Sequence, residues 1–469
     1  MTQTPKVFSN MIPGGISLKA ILSAEEQHAR MTRTPIPKLV LTLAVPTVVS
    51  MMITAIYNTA DTYFVSQIST SASGAVGVVF SLMAVIQAVG FTLGMGAGSL
   101  CSRRLGAKDN KAADVYASTA FFTALAIGVL IAILGTALLD RLMLLLGATP
   151  TILPHAAAYG RYIILGAPVM AASFVLNNLL RAEGKASFAM IGLGAGGLLN
   201  IALDPLFIFT FGLGTAGAAI ATLISQCVSF VLLLYMFLSG KSVLHLTPRL
   251  IARTWKPYGE ILTVGMPSLF RQGFASVAAV LLNRAAGVYG DAAVAAMSIN
   301  SRIFMFILSM ILGIGQGFMP VVGYNYGAKL YGRVRAAYRF TVLMGFSVMI
   351  VLGAAGFIFA PQVVALFRAD DPDVIRIGTV AMRLQCAVMP LQALLVGTNM
   401  LLQSVGWSVS AMFLSINRQG VFFLPLILLL PALYGLLGVQ LAQPVADVLS
   451  TLACVPFIFV FFRKLPHKS

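Results

Sequence analysis

The feature that most constrains this chain is a series of apolar stretches, each long enough to cross a lipid bilayer. A membrane-spanning helix needs roughly 20 mostly apolar residues. Of the 469 residues, 59% are apolar and 10% are charged, whereas soluble domains have about 45–50% apolar and about 25% charged residues. This composition excludes a soluble enzyme and predicts an all-α, multi-pass membrane protein. The predicted spans, twelve in number, are 37–66, 75–102, 114–146, 155–180, 186–211, 215–239, 257–287, 293–324, 334–366, 374–403, 408–431 and 434–462.

The positions of the basic residues predict the orientation of these spans. The net charge is +17, from 31 Lys and Arg against 14 Asp and Glu. Basic residues concentrate in the two tails and in the even-numbered loops, for example Arg103 and Arg104 in the second loop and Lys185 in the fourth; the tenth loop is an exception with none. Loops rich in Lys and Arg stay on the cytoplasmic side of a membrane. We therefore expect both termini to be cytoplasmic, and the excess charge needs no nucleic acid partner.

The two halves of the sequence repeat one another. Leu93-Gly-Met-Gly-Ala-Gly98 resembles Leu312-Gly-Ile-Gly-Gln-Gly317, and Gly106-Ala-Lys108 matches Gly327-Ala-Lys329 at an offset of 221. Further along, Asn177 matches Asn399 at an offset of 222. Two six-helix repeats of the same orientation place a substrate cavity between them, which a channel would not require. The predicted divisions are an N-terminal cytoplasmic tail, an N-lobe, a cytoplasmic linker, a C-lobe and a C-terminal tail, at 1–36, 37–240, 241–256, 257–463 and 464–469.

Three acidic residues, Asp61, Asp204 and Asp447, lie within the apolar stretches. A charge at the bilayer centre costs at least ~2.5–3.5 kcal/mol, so such residues are functional candidates. Tyr57 and Asn200 each precede one of the first two aspartates by four residues and share its helix face, and the proline after Asp204 frees a main-chain carbonyl. These hard oxygen ligands suit a proton or Na⁺. The alternative is a hydrogen-bonded acid that only fixes packing, and for Asp447 the two interpretations have equal weight.

The second half lacks these acids, because the repeat places Leu282 opposite Asp61 and Leu426 opposite Asp204. It carries arginines in or near its helices instead, of which Arg418 is the most interior. Arg418 could gate a cavity, although bonding to main-chain carbonyls is the favoured interpretation. The candidates for a gating or cavity-lining role are Arg418, Asp447 and Gln272.

The sequence offers no motif for catalysis or for a cofactor. Its Gly-x-Gly-x-Gly runs lie inside predicted spans and lack a following Lys-Ser or Lys-Thr, so they are not nucleotide-binding loops. The four cysteines are far apart and have no metal-binding spacing. We therefore expect no enzymatic activity, no cofactor, no direct use of ATP and no metal other than a coupling Na⁺.

Four segments give the chain a family resemblance. They are Tyr57-Asn-Thr-Ala-Asp61-Thr-Tyr-Phe, Leu180-Arg-Ala-Glu-Gly-Lys185, Asn200-Ile-Ala-Leu-Asp204-Pro and Arg418-Gln-Gly-Val-Phe-Phe-Leu-Pro425. Over about residues 35–463 the chain resembles the multidrug and toxic compound extrusion (MATE) transporters, of the bacterial DinF/MepA-like type. The resemblance implies a V-shaped molecule with twelve transmembrane helices in two pseudo-symmetric lobes, in the cell membrane of a bacterium.

The resemblance also implies an activity and a site. MATE transporters export amphipathic, often cationic drugs in exchange for H⁺ or Na⁺, by a rocking of the two lobes. The cation site that it implies consists of Tyr57, Asp61, Asn177, Asn200, Asp204 and Thr222, with any Na⁺ at Asp61, Asn200, Asp204 and Thr222. Some relatives have another acid in the seventh helix, but this chain has none there after Glu260.

One alternative function belongs to the same superfamily. A flippase for a lipid-linked oligosaccharide, or for another anionic amphiphile, would use a basic central cavity, and the arginines of the second half keep this open. The expected partners are the lipid bilayer and small amphipathic organic substrates, with no nucleic acid, and the expected state is a monomer.

Overall fold

The structure, a computed structural model, describes residues 23–368 and 371–466. Residues 1–22 of the predicted N-terminal tail and residues 467–469 of the predicted C-terminal tail lie outside the described residues. Within the described ranges every regular element is helical, as the composition predicts.

The first half contains one short helix ahead of the first span and then six spans. A five-residue π-helical segment, Leu206–Thr210, continues the fifth span beyond Pro205. The helices are α1 (Ala24–Arg33), α2 (Ile36–Ser66), α3 (Thr70–Gly106), α4 (Asn110–Ala137), α5 (Leu139–Leu145), α6 (Leu153–Ala182), α7 (Ala186–Pro205) and α8 (Gly214–Leu238).

The second half repeats this order after a linker that contains a short 3₁₀ helix, Pro248–Leu250. Its eleventh span also contains a π-helical segment, Asn417–Phe423. The helices are α9 (Trp255–Gly287), α10 (Asp291–Gly327), α11 (Tyr331–Ile358), α12 (Ala360–Ala365), α13 (Pro372–Val388), α14 (Leu391–Val405), α15 (Ser408–Ile416), α16 (Leu424–Tyr434) and α17 (Leu436–Lys464).

Most of these helices are long and apolar enough to cross a membrane. Ten spans in the described residues meet that description, and the bent pair α13 and α14 makes an eleventh. The twelfth predicted span is α9, whose 33 residues extend about 50 Å at 1.5 Å per residue. It is less apolar because it includes Lys256, Glu260, Arg271 and Arg284. With α9, the described residues contain twelve transmembrane helices in two sets of six.

Three predicted spans are interrupted or sharply bent. The stretch 114–146 divides into α4 and α5 at Leu138, and 334–366 divides into α11 and α12 at Phe359. Both stretches exceed the roughly 20 residues that a bilayer requires, so their ends can turn aside. The stretch 374–403 bends by 55° between α13 and α14, where Pro390 follows the end of α13 and cannot continue its hydrogen bonds.

The lobes meet through glycines on α3 and α10, at the end of the bundle where Gly106 and Gly327 lie. A Cβ atom on Gly96 would overlap the carbonyl oxygen of Ile261 on α9, and one on Gly317 would overlap the backbone of Ala44 on α2. Only glycine permits the two backbones to approach this closely. We call this end of the molecule, which includes Arg103, Gly106, Lys185, Tyr324 and Gly327, the sealed end.

The inter-lobe contacts define the register of the repeat. A Cβ atom on Gly106 would overlap the carbonyl oxygen of Tyr324, and one on Gly327 would overlap the carbonyl oxygen of Arg103. Both pairs are related by an offset of 221, which also relates Gly96 to Gly317. The sequence comparison aligned Leu93 with Leu312, an offset of 219; that alignment is wrong by two residues because repeating glycines match in more than one register.

The N-terminal helix α1, which falls in the predicted tail, packs across the sealed end. Gln27 is fully buried and its Nε2 donates to the carbonyl of Glu183 at 2.5 Å, and His28 Nε2 lies 2.9 Å from the carbonyl of Gly106. Asn325 of the other lobe donates to the carbonyl of Met31 at 3.2 Å. Thus α1 contacts both lobes.

The segment after α8 is held against the first lobe by the buried carboxylate of Glu183. Its Oε2 accepts hydrogen bonds from Ser242 Oγ at 3.0 Å and from the Val243 amide at 2.6 Å, and lies 3.9 Å from Lys185 Nζ. Burial raises the pKa of the Glu183 carboxyl to about 7 from an ordinary value near 4.5, against the opposing effect of Lys185. Desolvation therefore outweighs the ion pair.

We expect Gly96→Ala to destabilise the closed contact between the lobes by about 1–3 kcal/mol, because its methyl group overlaps the Ile261 carbonyl. Gly77, in the same helix with open space around it, is the control, and its change to alanine should be neutral or stabilising by about 0.5–1 kcal/mol. Thermal denaturation in detergent measures both. Equal effects at the two positions would contradict the close approach.

The pKa of Glu183 predicts a pH dependence of stability. Between about pH 4.5 and pH 7 the folded protein keeps a proton that the unfolded chain has released, so stability falls as the pH rises through this range. Glu183→Gln removes this contribution, and the melting temperature of the variant should fall less than that of the wild type. If the melting temperatures of the two proteins change equally with pH, Glu183 does not titrate in this pH range.

Candidate functional site

Asp61 lies on α2 in the interior of the first lobe. Its residue is 8% exposed, and its Oδ2 accepts a hydrogen bond from Tyr159 Oη on α6 at 2.9 Å. The second oxygen, Oδ1, is buried and has no hydrogen-bond partner among the described residues. The carboxylate is therefore only half satisfied, which is costly for a buried charge.

Asp204 lies near the end of α7, just before the π-helical segment, and is fully buried. Asn200, one turn earlier, donates from Nδ2 to Asp204 Oδ1 at 3.1 Å and is 3.3 Å from Thr222 Oγ1 on α8. Within the described structure, Asp204 Oδ2 and Asn200 Oδ1 are buried without partners. The shared face predicted for Asn200 and Asp204 is thus present.

The two aspartates belong to one cluster. They are close enough for their charges to interact, and Tyr159 lies beside both of them. Three of the buried oxygens, on Asp61, Asp204 and Asn200, lack a donor in the described part of the chain. Carboxylate and amide oxygens are the ligands that hard cations prefer, and a proton on either carboxyl group would reduce the repulsion between them. The cluster can therefore take up a proton or a small hard cation.

A small cavity adjoins this cluster. Tyr57, Asn200 and Thr222 line it together with Ser173, Ser225 and Gln226, whereas neither aspartate is among its lining residues. Tyr57, which the sequence placed on the face of Asp61, lines the cavity instead of bonding to that carboxylate in the described structure.

The hydrogen bond of the Asn177 side chain is to a residue outside the acidic cluster. Its Nδ2 donates to the carbonyl of Ala189 at 3.0 Å, and the repeat-related Asn399 donates to the carbonyl of Ala411 at 2.8 Å. The same bond in both lobes indicates that Asn177 joins α6 to α7. Tyr159, by contrast, contacts Asp61 and was missed, because a single tyrosine in an apolar stretch has no sequence pattern that points to a distant partner.

The second lobe contains its own buried acid, already paired with a base. Arg418 Nε donates to Asp447 Oδ1 at 2.7 Å, with side-chain exposures of 14% and 0%. Gln443 Nε2 donates to the same oxygen at 2.9 Å and Gln385 Nε2 to Oδ2 at 2.8 Å. Both oxygens of Asp447 are satisfied. The expectation that Arg418 bonds to carbonyls is corrected, because its strongest partner is a carboxylate one helix away.

The remaining candidate, Gln272, lies on α9 and is half-buried. It is not part of the hydrogen-bonded group around Asp447 in the described residues, and its main-chain carbonyl accepts from Ser276 Oγ at 3.2 Å. The guanidinium of Arg418 lies 5.6 Å from the ring centre of Phe304 on α10. Arg418 and Asp447 therefore act as one neutral pair, separate from Gln272.

The fold and the site define a class of protein. Two six-helix lobes of the same topology, joined at one end and with an unpaired acidic cluster in one lobe, are the architecture of a secondary membrane transporter. The MatE family pattern matches residues 46–206 and 267–429, one match in each lobe. The chain belongs to the MatE family of membrane transporters.

Individual relatives agree with this assignment. The multidrug export protein MepA of Staphylococcus aureus is 26% identical over 442 residues, which cover 94% of this chain and 97% of MepA. An outward-facing structure of a multidrug resistance MATE family transporter of the MOP superfamily is 28% identical, with a TM-score of 0.88 and coverage of 93% and 98%. A MOP superfamily transporter from Pyrococcus furiosus, described as having a binding pocket of reverse polarity, is 29% identical, with a TM-score of 0.87 and coverage of 94% and 99%.

The Arg418–Asp447 pair predicts a non-additive mutation series. Arg418→Met should destabilise the protein by about 3–5 kcal/mol, because it leaves a buried carboxylate without its counter-charge. Adding Asp447→Asn should recover most of that loss, since the double variant buries no charge at this position. Melting temperatures of the four proteins in detergent measure the coupling. A double variant as unstable as Arg418→Met would show that the pair is not coupled.

Proposed function

We propose that this protein exports amphipathic, cationic organic compounds across the cell membrane in exchange for H⁺ or Na⁺. The observation that carries the proposal is the cluster of Asp61 and Asp204, in which two buried carboxylates lie together with unpartnered oxygens. Such a cluster binds and releases a cation more readily than a carboxylate neutralised by an arginine, such as Asp447 beside Arg418. The multidrug export protein MepA and the multidrug resistance MATE structure support the substrate class.

The cation changes the charge of a helix that also joins the lobes. Asp61 and the contact residue Ala44 are both on α2, about 25 Å apart along its axis. When the cluster is charged, repulsion between Asp61 and Asp204 favours their separation. When a cation is bound, Tyr159, Asn200 and Thr222 can close around it. A shift of α2 between these two arrangements would reach its contact with Gly317 and alter the packing of the lobes.

The sealed end is the cytoplasmic end in this proposal. It holds Arg103, Arg104, Lys185 and Lys329, and the positive-inside rule assigns such a surface to the cytoplasm. The closed contact between the lobes then lies on the cytoplasmic side, which corresponds to an outward-facing state, the state named for one related structure. An external cation would load the cluster in this state, and substrate would leave. Each positive charge that moves inward down a membrane potential of 100 mV supplies ~2.3 kcal/mol for export.

Asp61→Asn tests the coupling role. A neutral amide cannot exchange a proton or balance Na⁺, so we expect cells that express this variant to lose drug resistance entirely. Asp140→Asn, which changes an exposed acid outside the cluster, should leave resistance unchanged. Membrane fractions probed for both variants establish that the protein is inserted. Undiminished resistance in an inserted Asp61→Asn protein would contradict the proposal.

A transport assay with the same variant in everted membrane vesicles distinguishes H⁺ from Na⁺ as the coupling ion. Uptake of a cationic dye is measured first with a Na⁺ gradient and then with a pH gradient alone. The ion that supports uptake by the wild type, but not by Asp61→Asn, is the coupling ion.

An anionic amphiphile as substrate, carried by a flippase, is the alternative. Its supporting observation is that the buried Arg181 and the partly buried Arg271 have no acidic partner in the described residues. The Pyrococcus furiosus transporter with a pocket of reverse polarity shows that related folds are compatible with altered pocket charge. Ion-driven uptake of the cationic dye by the vesicles would reject this alternative.

A further inference from the structure

A second cavity, distinct from the acidic cluster, lies between the lobes at the sealed end. It is a small cavity between α3 and α6 of the first lobe and α10 of the second. Its polar lining consists of Ser99, Ser102, Asn178, Arg181 and Gln316. No acidic residue is among the lining residues, although an arginine is.

The guanidinium of Arg181 in this cavity is buried and incompletely bonded. The residue is 4% exposed; its Nη1 donates to Gln316 Oε1 across the lobe boundary, and its Nη2 is 3.5 Å from Asn178 Oδ1. Its Nε is buried with no partner in the described structure, and the same is true of Ser99 Oγ. Two donors are therefore left without an acceptor in one cavity.

No carboxylate neutralises Arg181 within the described residues. It is absent from the ion pairs, which extend to an N–O separation of 4.0 Å. Glu183, two residues along the chain, is already engaged by Lys185, Ser242 and Val243. A buried charge without a counter-charge is strongly unfavourable. The positive charge of Arg181 in this cavity is therefore not balanced by a negative charge among the described residues.

The repeat shows that packing does not require this positive charge. At the offset of 222, Arg181 corresponds to Gln403 of the second lobe. Gln403 is fully buried and donates to the carbonyl of Val264 at 2.9 Å and to Ser268 Oγ at 3.0 Å. A neutral amide thus fills the equivalent corner of the other lobe. The charge of Arg181 needs an explanation other than the fold.

We propose that this cavity binds a small monovalent anion, of the size of chloride or a simple carboxylate, on Arg181 Nε and Ser99 Oγ. The anion supplies the missing counter-charge and accepts hydrogen bonds from both unpartnered donors. Because Arg181 and Ser99 belong to one lobe and Gln316 to the other, the complete cavity exists only while the sealed end is closed. Binding of the anion therefore stabilises the closed arrangement relative to the open one.

The first test compares purified full-length protein in NaCl, NaBr and sodium gluconate at equal concentration, which keeps Na⁺ and ionic strength constant. Chloride and bromide should raise the melting temperature by about 1–3 °C relative to gluconate, which is too large for the cavity. Arg181→Gln, which introduces the residue type that the second lobe has at the equivalent position, Gln403, should abolish this difference in melting temperature. Arg141→Gln, at an exposed position, should retain it. The same melting temperature in all three salts would overturn the proposal.

A direct measurement keeps the proposal testable if Arg181→Gln does not fold. Equilibrium dialysis of the wild type with radioactive chloride should give one saturable site per chain, and Ser99→Ala should weaken it several-fold. Formate in competition distinguishes the sources, since displacement of chloride by formate identifies a site that also accepts carboxylates. The absence of saturable chloride binding to the wild type would overturn the proposal. Because no step depends on export, an inactive Asp61→Asn protein should bind chloride normally.

Discussion

The cost of an unneutralised charge inside an apolar helix bundle is the constraint on which the rest of this structure depends. The protein meets it in different ways in its two lobes. In the second lobe Asp447 is neutralised by Arg418 and held by two glutamines. In the first lobe Asp61 and Asp204 each have one buried oxygen that lacks a donor among the described residues. The fold is symmetric, but the charge is not, and this asymmetry is the basis for the proposal that the first lobe exchanges ions.

The same constraint applies at the boundary between the lobes. Glycines on α3 and α10 bring the backbones together at the sealed end, and this packing buries Arg181 beside Gln316 without an acid. An ion that neutralises a charge buried at this contact would stabilise the closed arrangement of the lobes. We therefore regard the acidic cluster and the arginine cavity as two places where ions of opposite sign can influence the same movement of the lobes.

Several features of the fold could be predicted from the sequence because they are local or periodic. Apolar length gave the helices to within a few residues, and repeated glycines and prolines gave the two halves. Asp61, Asn200 and Asp204 could be selected because an acid in an apolar stretch is conspicuous and its polar neighbour lies one turn away. The family resemblance added Thr222, which the structure places 3.3 Å from Asn200. It also added Asn177, whose hydrogen bond goes instead to the carbonyl of Ala189.

The sequence by itself determined the helical membrane class, the twofold repeat and which acidic residues lie within apolar stretches. These features can be read from the sequence because hydropathy and helical spacing depend on residues that are close together along the chain. Only the tertiary structure decided the partners: Tyr159 for Asp61, Arg418 for Asp447, and Gln316 in place of a carboxylate for Arg181. These partners are between 29 and 135 residues apart along the chain. Which helices come together, and in what register, depends on the packing of all of them, and no local pattern contains that information.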